Sequence, residues 1–383
     1  MTQLAADSTP LFDYAVIGAG IAGASVAYHL ARHGSVILIE RESQPGYHST
    51  GRSAAMFMET YGTQAIQALT RASRDFYQHP PEGFTEHPLL APRGVLYIAD
   101  HEQKDLLHSI HNTLSSNAPN VRLINAQEAL ALVPVLKADT LYGAIMEEDA
   151  QDLDVHALLQ GYIRGMRERG AVLKTNAELA AAIRENSKWM LTLADGSVIQ
   201  ARHLVNSAGA WADAVAALCG VQPIGLEPRR RSAFTFAAPE GLDCARWPAV
   251  VGIDESFYFK PDAGQLLGSP ANADPVSAHD VVAEEYDVAL GIHHIENATT
   301  LTITRPRHTW AGLRSFVPDG NFSIGWESSA EGYFWLAAQG GYGIQTAAAT
   351  AELACALLRG QPVPQRLIEQ GFDLASVDPE RFR

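Results

Sequence analysis

Asp13-Tyr14-Ala15-Val16-Ile17-Gly18-Ala19-Gly20-Ile21-Ala22-Gly23 runs an apolar stretch straight into a GxGxxG turn. The five residues before Gly18 suit a buried parallel strand. Beyond the turn, Ala22, Val26 and Leu30 recur at helical spacing, and Gly34 ends the helix. A second apolar strand, Val36-Ile37-Leu38-Ile39, then meets Glu40. Strand, glycine turn, helix, strand and acid, in that order, predict a Rossmann-like dinucleotide-binding unit. Gly18 permits the tight turn, and Gly20 lets a pyrophosphate approach the helix N-terminus at Ile21 and Ala22. Gly23 lets helix and strand pack closely. Glu40 is placed to accept hydrogen bonds from a ribose diol. This motif alone fits NAD and FAD equally.

Two later segments choose between them. The strand His203-Leu204-Val205-Asn206 leads into Ser207-Ala208-Gly209-Ala210-Trp211. Near the C-terminus, the strand Trp335–Gln339 leads into Gly340-Gly341-Tyr342-Gly343-Ile344-Gln345-Thr346. The helix predicted after it carries Ile344, Ala348, Ala351, Cys355 and Leu358 on one face. A nicotinamide enzyme has no need of a glycine turn so far downstream. An extended FAD does, because backbone N–H groups and a second helix dipole can meet its flavin end.

The bulk numbers bound the remaining possibilities. A chain of 383 residues exceeds what one compact core usually holds, so two domains are expected. The net charge of −15 argues against a broad nucleic-acid or anionic-membrane surface, while leaving room for a local basic pocket. Cys219, Cys244 and Cys355 show no CxxC pairing and read as free thiols of a reducing compartment. No apolar run suits a secretory core or a membrane span. A cytoplasmic protein is expected, with peripheral docking at the inner membrane left open. His293-His294 lacks a third ligand at zinc spacing, so no metal is assigned. Asp152 or Asp154 is expected to cap the helix carrying Val155, Leu159, Tyr162 and Met166.

Together with Gly46-Tyr47-His48-Ser49-Thr50-Gly51-Arg52-Ser53-Ala54-Ala55, these strings resemble the D-amino-acid oxidase superfamily. Within it, the chain is similar to the glycine oxidase, sarcosine oxidase and D-amino-acid dehydrogenase group. It looks most like the D-arginine dehydrogenase branch, through Tyr47–Ala55, Glu255–Tyr258, Trp310–Phe316 and Gln339–Thr346. The resemblance implies an α/β (α+β) fold, with a Rossmann-like FAD-binding domain and a discontinuous, mixed-sheet substrate-binding domain. Residues 1–76, 145–225 and 318–383 would form the first, and 77–144 and 226–317 the second. The strand-like runs Ser232–Phe236 and Phe257–Lys260, the hairpin signal Pro261-Asp262-Ala263-Gly264 and a helical stretch near 281–297 are compatible with that division.

The same resemblance implies non-covalent FAD. It sets His48, Ser49, Thr50, Arg52, Ser53, Ala54 and Ala55 along the cofactor, with Arg41, Val172, Ser207, Gly209 and Trp211. Gly340, Gly341, Tyr342, Gly343, Ile344, Gln345 and Thr346 would meet the flavin end, near Arg314. The substrate implied is a small amino acid. An arginine fork suits its carboxylate because it donates two parallel hydrogen bonds. Arg314 is the first candidate for that role and Arg231 the second. Tyr258 and Tyr61 would donate hydroxyls, and the Gly341 carbonyl would accept from the amine. Family analogy makes the reaction a direct hydride transfer from Cα to flavin N5. The resulting imino acid would hydrolyse to a 2-oxo acid and ammonia. A quinone or another carrier would take the electrons. Oligomeric state is left open.

Three positions depart from the D-arginine dehydrogenase pattern. Val95 stands where the resemblance leads one to expect an acid, and Met56 and Met58 stand where it leads one to expect His and Thr. An unpaired guanidinium in such a pocket would be costly, so an apolar substrate side chain is expected. Glu59 could instead supply an acid for D-arginine or D-lysine. A rival activity, oxidation of a 2-hydroxy acid, needs a general base, and residues 53–61 contain no His. No Lys occurs in Gln265-Leu266-Leu267, where some oxygen-using relatives carry one, which leans towards a dehydrogenase.

Overall fold

The computed structural model describes residues 10–115, 118 and 120–383. An eight-stranded sheet is built around Leu11–Ile17. That strand lies between Val36–Ile39 and Val198–Asn206, parallel to both. Tyr333–Ala337 joins the sheet parallel to the end of Val198–Asn206. The three glycine turns therefore leave the carboxyl ends of three neighbouring parallel strands. In open α/β sheets this is the edge at which ligands bind.

Helices cover one face of this sheet. Ile21–Leu30, Gln64–Gln78, Val155–Glu168 and Ala347–Leu358 share one apolar cluster. Alanines at 347, 348, 349, 351 and 354 are buried there, and their small size permits close helix packing. The opposite face carries Ala212–Leu218 and a second cluster containing Trp189 and Trp335.

A nine-stranded mixed sheet forms the other half. Across it run Glu227–Ala237, Gln265–Ser269, Tyr258–Asp262, Ala249–Gly252, Val95–Asp100, Leu141–Glu147 and Val121–Asn125. His308–Phe316 pairs antiparallel with Glu227–Ala237 on the other side. The hairpin signal at 261–264 does join two antiparallel strands. The helix expected near 281–297 spans Glu285–Ala298. A small sheet of Met56–Phe57, Gln151–Leu153 and Leu90–Pro92 lies at the joint.

Some local expectations are refined. Asp154 is the residue that caps Val155–Glu168, accepting from the Ala157 N–H at 2.8 Å. Asp152 instead bridges Lys260 and Arg93, at 2.7 Å to each. The helix after the third glycine turn starts at Ala347, so Ile344 precedes it. Gly340 has a φ of +50°, a left-handed conformation that keeps the chain out of the helix. All three cysteines are buried free thiols. Among the described residues no helix is long and apolar enough to cross a membrane.

Candidate active site

The three turns open onto one cleft. Its wall includes Gly18, Gly20, Ile21, Ala22, Glu40 and Arg41 from the first strand pair. His48, Ser49, Thr50, Arg52, Ser53 and Ala54 form one side. Ser207, Gly209 and Trp211 come from the second turn, and Gly340, Gly341, Gly343 and Ile344 from the third. Arg231, Tyr258 and Arg314 close the far end from the mixed sheet. Residues that are remote in sequence thus meet where the sheet topology brings their strand ends together.

The end of the cleft at the first glycine turn is closely packed. Gly18 has a φ of +95°, and a Cβ there would lie 2.7 Å from the Ser207 carbonyl oxygen. Gly23 lies outside the cleft wall; a Cβ on it would sit 1.9 Å from the Gly18 carbonyl oxygen. Its task is therefore packing of helix on strand. Glu40 is buried, and its two oxygens accept from the Ala19 N–H at 2.7 Å and the Glu42 N–H at 2.9 Å. Each carboxylate oxygen keeps a further lone pair for a hydroxyl at the cleft. Thr50 Oγ1 accepts from the Ile21 N–H at 3.0 Å. Arg41 stacks over Trp211 at 4.0 Å, and His48 packs on the same ring while bonding Glu42 at 2.9 Å.

Arg52 needs a different account from the one its charge suggests. Its guanidinium donates to the Val281 and Ala311 carbonyls at 2.9 and 3.0 Å and pairs with Asp280. The charge is already compensated, so Arg52 ties the 49–52 turn to the mixed sheet. Ser49 Oγ reinforces this tie by donating to the Leu313 carbonyl at 2.6 Å. Val172 is also displaced from its expected role. It is 44% exposed on a strand beyond Val36–Ile39, and Ala177, Glu178 and Leu179 line the cleft in its place. After Lys174 the chain leaves the strand, and the Asn176 and Ala177 N–H groups bond the Glu42 and Glu40 carbonyls, which brings 177–179 to the cleft; a strand-by-strand reading does not reveal this. Ala55, Tyr342, Gln345 and Thr346 are not part of the cleft wall: Ala55 lines a neighbouring pocket and Tyr342 packs edge-on against Tyr61. Gln345 and Thr346 are buried, and Gln345 donates to Thr70 at 2.9 Å.

Whether this cleft suits FAD can be judged from its own groups. Gln339 lines it, and its buried Nε2 donor has no partner among the protein atoms. Such a donor needs a ligand or water. With side-chain-free backbone at Gly20 and Gly341, an acid at Glu40 and hydroxyls at Ser49 and Thr50, the donor set fits an elongated dinucleotide.

Two guanidinium groups stand at the mixed-sheet end of the cleft. Neither Arg231 nor Arg314 forms an ion pair among the described residues. Arg231 donates through Nε to the Asn272 carbonyl at 2.5 Å. Arg314 donates through Nη1 to Tyr61 Oη at 3.1 Å. Burial and the neighbouring Arg314 charge push Arg231 down to about 10, so both remain cationic at neutral pH. Burial also opposes the charge on Arg314, but the Tyr61 and Tyr258 phenols outweigh it, and its pKa is raised. Gly341 makes room: a Cβ there would lie 2.8 Å from Arg314 Nη1. Two adjacent, uncompensated cations at the end of a cleft call for an anion.

Met56, Met58 and Val95 form an apolar cluster with Ala150 and Ala249, bordered by Tyr61, Tyr97 and Val251. They stand beside Tyr61 rather than in the cleft wall, and Val95 is fully buried. Glu59 pairs with Arg74 at 2.7 Å, which neutralises the acid considered for a basic substrate. The structure adds a residue that sequence reasoning missed. Glu147, cross-strand partner of Val95, is buried, and its carboxylate accepts from Thr60 Oγ1 at 2.5 Å. The only clue in the sequence was an acid ending an apolar strand, Leu141-Tyr142-Gly143-Ala144-Ile145-Met146-Glu147.

Comparison with known proteins agrees with this architecture. The family described as DAO, FAD dependent oxidoreductase, matches residues 13–357. Mitochondrial dimethylglycine dehydrogenase of Rattus norvegicus is 24% identical over 395 residues, covering 96% of this chain and 44% of the relative. The chain thus spans under half the length of that relative. Among solved structures, glycine oxidase from Geobacillus kaustophilus superposes with a TM-score of 0.83 at 22% identity, over 97% of this chain and 98% of the other. L-proline dehydrogenase from P. horikoshii gives 0.80 at 22% identity, over 97% of each chain.

Proposed function

Because the chain belongs to the DAO family of FAD-dependent oxidoreductases, we propose that it oxidises the amine of a small amino acid whose carboxylate is held by Arg314 and Arg231. The observation that carries this reading is the pair of neighbouring guanidinium groups that form no ion pair among the described residues. The named activities of the relatives support it: dimethylglycine, glycine and L-proline each join an amine to a carboxylate.

FAD would be held by Gly18, Gly20, Ile21, Ala22 and Glu40 at its nucleotide end. Ser49, Thr50, Ser53 and Ala54 would run along it, with Gln339, Gly340, Gly341 and Gly343 at the other end. When bound, it supplies the hydride acceptor. The protein's part is positioning, which can account for much of an enzymatic rate. Arg314 and Arg231 fix the carboxylate. Tyr258 and Tyr61 add hydroxyls beside it, and the Gly341 carbonyl accepts from the amine. The substrate amine must lose its proton before Cα gives up hydride. An α-amine does so near neutral to mildly alkaline pH, so no strong protein base is required. The imino acid formed then leaves and is hydrolysed by water to a 2-oxo acid and ammonia.

For the side chain, the apolar cluster of Met56, Met58 and Val95 stands beside Tyr61, behind the cleft, and Arg74 removes Glu59 as a free acid; both support an apolar group. D-leucine, D-methionine and D-phenylalanine are therefore the proposed substrates, with a quinone or other carrier as acceptor. Anaerobic mixing with a panel of D- and L-amino acids, N-methylated glycines and 2-hydroxy acids tests this. Bleaching of the flavin absorbance is expected fastest with apolar D-amino acids. Fastest bleaching by 2-hydroxy acids would overturn the amine reading. A preference for D-arginine or D-lysine would overturn the apolar pocket alone.

A further inference from the structure

Among the described residues Tyr61 is the only side chain that hydrogen-bonds Arg314, and the segment carrying it is anchored at several points. Gln67 Nε2 donates to the Thr60 and Gly62 carbonyls, both at 3.0 Å. Arg74 holds Glu59 at 2.7 Å. The third anchor is Glu147, from the far side of the mixed sheet. Its carboxylate accepts from Thr60 Oγ1 at 2.5 Å and from the backbone N–H groups of Thr60 and Glu59. The Tyr97 phenol hydrogen-bonds the same threonine hydroxyl. Glu147 itself is 4% exposed and forms no ion pair among the described residues.

A buried carboxylate without a cation is costly, and folds retain one when its hydrogen bonds serve a purpose. Here all its donors belong to residues 59 and 60, next to Tyr61. We propose that Glu147 is a positioning residue which, through Thr60, sets Tyr61 against the Arg314 guanidinium and so tightens capture of the substrate carboxylate. This rests on the assignment of Arg314 to that carboxylate.

The carboxylate acts as a latch because it is an acceptor only; a proton on it would convert one acceptor site into a donor facing N–H and O–H groups. Burial holds its pKa at about 7, and the Glu59 charge works in the same direction. Tyr97 is the other titratable group facing it, and burial holds that phenol well above its usual range, so it stays neutral. The Glu147 latch therefore weakens as pH falls through neutrality.

The test uses the FAD-loaded enzyme and benzoate, a carboxylate that cannot be oxidised at an amine, followed by its perturbation of the flavin spectrum between pH 5.5 and 8.5. Wild-type affinity is expected to weaken below about pH 7. In Glu147→Gln, affinity at pH 8 should fall about tenfold, the worth of one charge-assisted hydrogen bond, and the inflection should vanish. KM for the amino-acid substrate should rise by a similar factor, with kcat within about twofold. Thr60→Val should reproduce both effects and Thr60→Ser should restore wild-type behaviour, which decides the matter even if Glu147→Gln does not fold. An unchanged pH profile and KM in Glu147→Gln and Thr60→Val overturn the proposal. The Arg314→Met control separates the two layers: if it leaves benzoate affinity unchanged, the carboxylate assignment itself fails.

Discussion

Gly341 and Arg314 show how closely this site depends on single atoms. A methyl group on Gly341 would sit 2.8 Å from Arg314 Nη1, and 2.9 Å from Cζ. Gly341→Ala should therefore displace the guanidinium. Steady-state kinetics should show kcat/KM down by roughly 10–100-fold with FAD content retained, because misplacement of about 1 Å has that order of effect. Glu147 gives a second prediction at this scale. Its pKa stands at about 7 in the fold against an ordinary 4.5. The folded state thus binds this proton more tightly than the unfolded chain. The resulting stability is full below about pH 4.5 and is lost as pH rises through about 7. Glu147→Gln should gain roughly 2–3 kcal/mol more over wild type at pH 8 than at pH 5 in denaturant titrations. A constant difference across that range would contradict the linkage.

Among the elements, the 49–52 turn is the least self-sufficient. It has four residues, and side chains from Ser49 and Arg52 fasten it to His308–Phe316 and to Val281. Arg52→Met should loosen it and raise the Kd for FAD about tenfold, read by flavin fluorescence during dialysis. Retention of wild-type FAD affinity would show that the turn holds its shape unaided. The elements also explain what could be read from the chain. The strand–turn–helix units at 13–30, 203–218 and 335–358 were legible because glycine turns and helical periodicity are local signals. Val172 was misplaced because the cleft-facing stretch 177–179 follows a short connection after the strand that leaves no periodic mark. The tie that Arg52 makes was not legible because its partners, Asp280, Val281 and Ala311, are remote in sequence. Glu147 escaped notice for the same reason: its meaning depends on Thr60, 87 positions away.

At the scale of the whole molecule, the cofactor cleft is assembled from strand ends contributed by the beginning, middle and end of the chain. FAD that bridges these ends binds the folded state and has no equivalent site in the unfolded chain. Added FAD should therefore raise the Tm of the apoprotein, and the rise should grow with the logarithm of free FAD concentration. Differential scanning fluorimetry of stripped protein checks this; an unchanged Tm at saturating FAD would mean that the cleft does not join the parts as described. The overall pairing of a Rossmann-like sheet with a mixed sheet was readable early, through motif order and resemblance. The charge balance at the site was not. A net charge of −15 gives no hint that two arginines stand together with no ion pair among the described residues.

That uncompensated pair is the claim on which the account turns. The most direct measurement compares kcat/KM for an amino acid with that for its carboxamide, in wild type and in Arg314→Met. The wild type should prefer the free carboxylate by about 10³-fold or more, and the preference should collapse in the variant, as expected when a buried charge-assisted fork is lost. Equal turnover of acid and amide by the wild type would contradict it.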